Sequence, residues 1–113
     1  METQPLLPLS EITFYILLSL APGRKHGYAI LKEVETLSRE SVKLSTSSLY
    51  DGLTRLLQQA LIERVETEND LANGRARKYY ALSDLGRRTL AAEAQRMKRL
   101  VDLSRPYSEE GVL

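Results

Sequence analysis

The stretch STSSLYDGLTRLLQQALI, residues 45–62, decides the predicted fold of this 113-residue chain. Its leucines recur at the spacing of one helix face, which predicts an amphipathic helix with a single buried stripe. Four hydroxyl residues in a row open that helix, at positions 45–48. One hydroxyl, that of Ser45, is enough to cap the helix N-terminus. The other three therefore need a separate explanation.

Helical and strand patterns flank this stretch on both sides. Apolar runs, capping residues and an Asn-Gly turn dipeptide mark their limits. Besides the helix capped by Ser45, the sequence predicts two helices with serine caps, one capped by Ser10 from Glu11 to about Ala21 and one capped by Ser83 from Asp84 to about Leu103. It also predicts a helix from near His26 and strands over residues 62–67 and 75–82. This order predicts a mainly α fold with a small β-hairpin, arranged as a winged helix-turn-helix followed by a C-terminal dimerisation helix.

The first and last helices predict a second subunit. The first is apolar on nearly every side and the last carries a narrow stripe near heptad spacing, so both suit contact with another helix. We therefore divide the chain into a winged helix-turn-helix domain that includes the N-terminal helix (residues 1–83), a C-terminal dimerisation helix (84–105) and a flexible tail (106–113). The residues assigned to the dimer interface are Ile12, Tyr15, Ile16, Leu90, Ala94, Met97 and Val101.

The hydroxyl-rich turn fits the helix that a helix-turn-helix places in the major groove of DNA. Such a helix enters the groove by its N-terminal end, where free N–H groups and the positive end of the helix dipole suit phosphate. Thr46, Ser47 and Ser48 project there as short donors for phosphate oxygens and base edges. A merely polar first turn is the alternative, because Ser and Thr favour helix N-termini in any case.

Two basic clusters favour the same hypothesis. One, NGRARK (73–78), lies at the predicted hairpin tip, from which arginine can reach phosphate or enter the minor groove. The other, RKH (24–26), opens the second helix, where cations are unfavourable unless an external anion is present. Solvated strand charges and a basic loop are the respective alternatives. The residues predicted to contact DNA from these clusters are Lys25, His26, Asn73, Arg75 and Arg77.

Three segments, in this order, resemble the PadR family of bacterial transcriptional regulators: HGYAILKEVE (26–35), LSTSSLYDGLTRLLQQALI (44–62) and RARKYYALSDLGRRTL (75–90). The family's Ser/Thr-x-x-Gly-Arg signature is matched by Ser83, Gly86 and Arg87. The resemblance implies a DNA-binding regulator, usually a repressor, that dimerises through one C-terminal helix. The DNA contacts that it implies are Tyr28, Thr46, Ser47, Ser48, Tyr50, Arg75 and Arg77.

The chain departs from the family pattern at two positions of the groove-entering helix. Ser47 stands where the family often has glycine, which adds a donor. Asp51 stands where the family often has proline, which puts a negative charge near the predicted groove. Some short members of the family bind flat hydrophobic compounds between the subunits through an aromatic residue, and this chain has no Trp. The existence and identity of a small-molecule effector are therefore left open. Tyr80 is expected to pack its ring rather than contact DNA.

Composition limits the remaining classes of function. The chain has no Cys, and its one His lies at a predicted helix start, where a phosphate contact or a structural role is expected before that of a general base, so we expect neither an enzyme nor a metal or other cofactor. The apolar run over residues 12–21 is about half the ~20 residues of a membrane span, and we expect a cytoplasmic protein without a membrane partner. The expected partners are double-stranded DNA and a second copy of the chain. A net charge of only +1 keeps one alternative open, a winged helix that binds protein instead of DNA.

Overall fold

The computed structural model describes residues 7–66 and 78–108. Its elements are α1 (Glu11–Ser19), β1 (Lys25–His26), α2 (Gly27–Leu37), α3 (Thr46–Gln58), β2 (Ile62–Val65), β3 (Tyr79–Leu82) and α4 (Asp84–Ser104), followed by a turn of 3-10 helix (Arg105–Tyr107). The predicted class, mainly helical with a small antiparallel β-sheet, is confirmed. Of the segment predicted as a flexible tail, residues 109–113 lie outside the described residues.

Side-chain caps begin the helices where the sequence predicted them. The hydroxyl oxygens of Ser10, Ser45 and Ser83 accept hydrogen bonds from backbone N–H groups three residues on, at 3.1, 3.1 and 2.9 Å. The fourth cap is His26, whose Nδ1 accepts from the N–H of Ala29 at 3.2 Å. Each cap satisfies one of the backbone donors that a helix N-terminus leaves without an intrahelical partner.

The sheet has one strand more than the predicted hairpin. Lys25 and His26 pair with Tyr80 and Tyr79, so the strand order is β1-β3-β2. A strand of two residues is too short to show an alternation of apolar and polar side chains. Its pairing also joins positions more than fifty residues apart in sequence, so the sequence did not predict it. The helix predicted to start near His26 therefore starts one residue later, after this short strand.

The first helix is also shorter than predicted. It ends at Ser19 instead of about Ala21. The N–H groups of Leu20 and Ala21 bond to the carbonyls of Leu17 and Leu18, three residues back, which tightens the last turn. Pro22 follows immediately, and a proline cannot continue the helical hydrogen bonding.

One core lies between α1, α2, α3 and the sheet. In the leucine stripe of α3, Leu49, Leu53 and Leu56 are buried, as their spacing predicted, and Leu57 is half-buried. Tyr80 is 3% exposed, which confirms its expected packing role. The fully buried apolar side chains at its centre are Ile16, Leu17, Leu20, Ile30, Val34, Leu49, Leu53, Leu61 and Ile62. Burial of one face of α3 leaves its opposite face to the solvent.

The Ser-x-x-Gly signature at the start of α4 holds that helix against the end of α3. The Ser83 hydroxyl donates to the carbonyl of Ala60 at 2.7 Å, and the Ser83 N–H donates to the carbonyl of Leu61 at 3.1 Å. A Cβ added to Gly86 would overlap the carbonyl oxygen of Leu61 and come within 3.0 Å of its carbon. Only glycine therefore permits this approach of α4 to the backbone after α3.

A buried carboxylate of α4, paired with an arginine of the same helix, ties α4 to the segment before α1. Glu93 is 1% exposed. Its oxygens accept two hydrogen bonds from the guanidinium of Arg96, at 2.7 and 2.9 Å, and one from the N–H of Leu9, at 3.0 Å. The Arg96 guanidinium and the Leu9 N–H hold the pKa of Glu93 below its ordinary value of 4.5, although burial opposes this.

We expect Gly86→Ala to lower the free energy of unfolding by about 1–3 kcal/mol, because the new methyl group forces α4 away from Leu61. Urea denaturation measures the change. Gly23→Ala is the matched control, since a Cβ there meets nothing within 4 Å, and its effect should stay within about 0.5 kcal/mol. Equal effects of the two substitutions would contradict the close contact at Gly86.

Glu93 should make the folded state sensitive to acid. Because its pKa is lowered in the folded chain, its stabilising contribution is complete above pH 4.5 and is lost as the pH falls through the lowered value. Glu93→Gln should therefore be less stable than the wild type at pH 7 and lose less stability below pH 4.5. Urea denaturation between pH 7 and pH 3 tests this. Parallel pH profiles for the two proteins would contradict it.

Candidate nucleic-acid interface

The exposed face of α3 presents polar side chains along its whole length. Ser47, Asp51, Thr54 and Gln58 are exposed and recur at intervals of three and four residues, on the side opposite the buried leucines. Arg55 is exposed beside them. A helix of this length with one core-facing and one hydrogen-bonding face has the form of a helix that enters the major groove.

Three of the four hydroxyls that open α3, those of Ser45, Ser47 and Ser48, are linked to one another at its N-terminus. The Ser45 hydroxyl accepts from the Ser48 N–H and donates to the Ser48 hydroxyl at 3.0 Å. The Ser47 hydroxyl oxygen lies 3.4 Å from that of Ser45. All four side chains of this hydroxyl cluster (residues 45–48) are exposed. Three of them therefore remain beside the cap as exposed hydrogen-bonding groups at the positive end of the helix.

Two exposed tyrosines lie near the start of α2 and in the second turn of α3. Tyr28 is 65% exposed, and the Lys32 ammonium lies 5.8 Å from its ring centre. Tyr50 is 42% exposed, and its phenol rests on the backbone of Gly27, where an added Cβ would overlap the hydroxyl and approach Cζ to 2.9 Å. The glycine of the His-Gly-Tyr motif thus makes room for Tyr50, which joins α2 to α3.

His26 has a structural role in addition to its predicted one. Its Nδ1 caps α2, and its ring meets that of Tyr79 edge to face, with centroids 5.6 Å apart. Only Nε2 is left for an external group. The half-buried position of His26 follows from this packing.

Two cations flank Tyr80 on the neighbouring strands of the sheet. Lys25 pairs with Tyr80 on one side and Arg64 pairs with it on the other, so the three side chains share one face of the sheet. Burial raises the pKa of the Tyr80 hydroxyl, the neighbouring Tyr50 raises it further, and Arg64 opposes them. Arg64 carries no signal in the sequence, because only the strand register reveals that it lies opposite Tyr80.

The predicted contacts at the hairpin tip lie outside the described residues. These are Asn73, Arg75 and Arg77. Lys78, which directly precedes β3, is exposed. We call the hairpin of β2 and β3, together with its tip, the wing. Its contact with DNA therefore stays a prediction.

The residues assigned to a dimer interface fall into three groups. Ile12, Ala94 and Val101 are exposed, and Tyr15, Leu90 and Met97 are half-buried. Ile16 is 1% exposed and packs in the core of its own chain, so we remove it from the interface. Beyond the predicted set, the end of α4 exposes Leu100 and Leu103.

Two findings concern metals and membranes. Within residues 7–66 and 78–108, no group of three or more His, Cys, Asp or Glu side chains is placed to hold a metal ion. In the same part of the chain, no helix combines the length and the apolar character that crossing a membrane requires.

Fold and site together define a winged helix-turn-helix protein. The chain matches the Transcriptional regulator PadR-like family over residues 16–92, which is more than half of its length, and it belongs to that family. The predicted resemblance is thus confirmed, and the hydroxyl-rich helix, the His-Gly-Tyr motif and the Ser-x-x-Gly-Arg signature all lie within the matched range.

Two solved structures and one further protein are similar to this chain. A PadR family transcription regulator from Clostridium difficile is 25% identical, with a TM-score of 0.71 over 85% of this chain and 96% of that one. Bacillus subtilis PadR, solved in complex with operator DNA, is 24% identical, with a TM-score of 0.64 over 75% of this chain and 46% of that one. This similarity is one of fold. An uncharacterized 37.1 kDa protein in transposon TN4556 of Streptomyces fradiae is 38% identical over 80% of this chain, which spans only 24% of that protein.

The contact between Gly27 and Tyr50 should appear in a double-mutant cycle. We expect Gly27→Ala to lower the free energy of unfolding by about 0.5–1.5 kcal/mol, because the methyl group pushes the end of the exposed phenol ring out of its preferred position. In a Tyr50→Ala background the same substitution should be neutral or stabilising, since alanine is the better helix former. Urea denaturation of the four proteins tests this. An equal loss of stability in both backgrounds would mean that the added methyl group does not clash with Tyr50.

Proposed function

We propose that the chain is a sequence-specific DNA-binding transcriptional regulator that acts as a homodimeric repressor on a palindromic operator. The observation that carries the proposal is the exposed hydroxyl cluster at the N-terminal end of α3, a helix whose other face is fixed in the core. Membership of the PadR-like family supports the regulatory role. The operator complex of Bacillus subtilis PadR supports DNA as the partner.

In the proposed complex, α3 enters the major groove by its N-terminal end. The free N–H groups there and the hydroxyls of Thr46, Ser47 and Ser48 bind phosphate oxygens and base edges. Tyr28 and Tyr50 pack against the sugar-phosphate backbone beside the groove. Their exposed rings supply contact area while Gly27 keeps the two helices at a fixed distance.

The basic residues supply the sequence-independent part of binding. Lys25 and Arg64 flank Tyr80 at the base of the wing, and we assign them to phosphate contacts together with His26 Nε2. Asn73, Arg75 and Arg77 would extend these contacts to the flanking backbone or minor groove. Each phosphate that a cation neutralises releases counterions, so binding should weaken steeply with salt.

The proposed dimer contact uses α1 and α4. Ile12, Val101 and Leu100 are large apolar side chains that the single chain leaves exposed. A second copy would bury them, as a helix-to-helix contact in water favours. The symmetry of such a dimer would present two copies of α3 to two half-sites related by a dyad. In this proposal residues 1–83 bind DNA and residues 84–105 set the spacing.

Repression follows if the bound dimer occupies a promoter. A compound that binds between the subunits and alters the spacing of the two α3 helices would release the operator. Its chemistry is left open, because the described residues point to no particular ligand.

Selection of bound duplexes from a random DNA pool tests the proposal. We expect a palindrome to be enriched. Thr46→Ala/Ser47→Ala should weaken binding to it by about tenfold or more, since two hydrogen bonds are worth about 2 kcal/mol. Arg75→Ala/Arg77→Ala should make the dependence of affinity on salt shallower. Fluorescence anisotropy at several salt concentrations measures both effects.

Thr36→Ala/Ser41→Ala is the matched control, because it removes two exposed hydroxyls outside α3. It should bind like the wild type. Enrichment of an asymmetric motif would contradict the homodimer. An absence of binding at low salt would contradict the DNA-binding function and favour a winged helix that binds protein.

A further inference from the structure

Asp51 occupies the centre of the exposed face of α3. It lies one turn after Ser47 and one turn before Arg55, and all three are exposed. Among the residues that the structure describes, its carboxylate has no ion-pair partner, and Arg55 does not pair with it despite the favourable spacing. The carboxylate is therefore available to whatever the exposed face of α3 meets.

A carboxylate in a DNA groove is unfavourable unless it accepts a hydrogen bond from a donor there. Phosphates on both sides repel it, and its removal from water costs free energy that only a hydrogen bond recovers. The base edges of the major groove offer two donors, the N4 amino group of cytosine and the N6 amino group of adenine. The adenine donor adjoins the N7 acceptor of the same base, which repels a carboxylate. The cytosine donor has no acceptor beside it on its own base.

We propose that Asp51 is a specificity-determining residue that accepts a hydrogen bond from N4 of a cytosine in each operator half-site. This inference rests on the proposed function. Because Asp51 lies in the second turn of α3, the C·G pair that it reads is next to the bases reached from the hydroxyl cluster. The same charge repels phosphates wherever that cytosine is missing, so Asp51 also weakens binding to unrelated DNA.

The test repeats the selection of duplexes with Asp51→Asn and Asp51→Ala. The wild type should fix a C·G pair at one position of each half-site and bind it about tenfold more tightly than the same site with A·T there. Asp51→Asn should shift that position to A·T, since the asparagine amide can pair with both N6 and N7 of adenine. Asp51→Ala should lose the preference at that position alone and bind random duplex more tightly than the wild type.

Glu63→Gln is the matched control, because it removes one exposed carboxylate at the base of the wing. It should select the wild-type motif. A palindrome that both Asp51 variants select unchanged would overturn the role of Asp51 and leave the proposed function intact. Selection of no motif by the wild type would overturn both.

Arg55→Ala separates direct recognition from an indirect role. If Asp51 itself accepts the hydrogen bond from cytosine N4, Arg55→Ala should leave the preference for that C·G pair in place. Loss of the same preference in Arg55→Ala and Asp51→Ala would mean that Asp51 orients Arg55 toward the guanine of the pair. That result would overturn the assignment to cytosine N4.

Discussion

Burial of the leucine stripe of α3 is the constraint on which the rest of the structure depends. Leu49, Leu53 and Leu56 are almost fully buried against the other helices and the sheet. Each such side chain contributes about 1.5–3 kcal/mol to stability, and together they determine how α3 is rotated about its axis. The hydroxyl cluster and the polar face through Asp51 are exposed as a result of that rotation.

A second set of contacts joins this helix to α4. Ser83 bonds to the backbone directly after α3, and Gly86 lets the first turn of α4 lie against the carbonyl of Leu61. The end of the proposed groove-binding helix and the start of the proposed dimer helix therefore form one packed unit. A change in the angle between two α4 helices in a dimer would move both copies of α3 with it.

Capping and periodicity made much of the fold predictable. Ser10, Ser45 and Ser83 act through bonds to residues three positions away, and the leucines of α3 through a repeating spacing, so both signals are local. The strand at Lys25 and His26 was missed because two residues carry no pattern. Ile16 was assigned to the wrong surface, since an all-apolar helix does not reveal which of its sides the same chain will cover.

The sequence by itself determined the order of the four helices and the hairpin, the serine caps that begin three of the helices, the buried stripe of α3 and, through its ordered motifs, the PadR-like family. Tertiary structure decided the relations between distant positions. It set the phenol of Tyr50 on Gly27, Arg64 and Lys25 on either side of Tyr80, and Glu93 within reach of Leu9. Local patterns specify contacts within a few residues, whereas contacts across long stretches of chain depend on how the elements pack, which no single segment encodes.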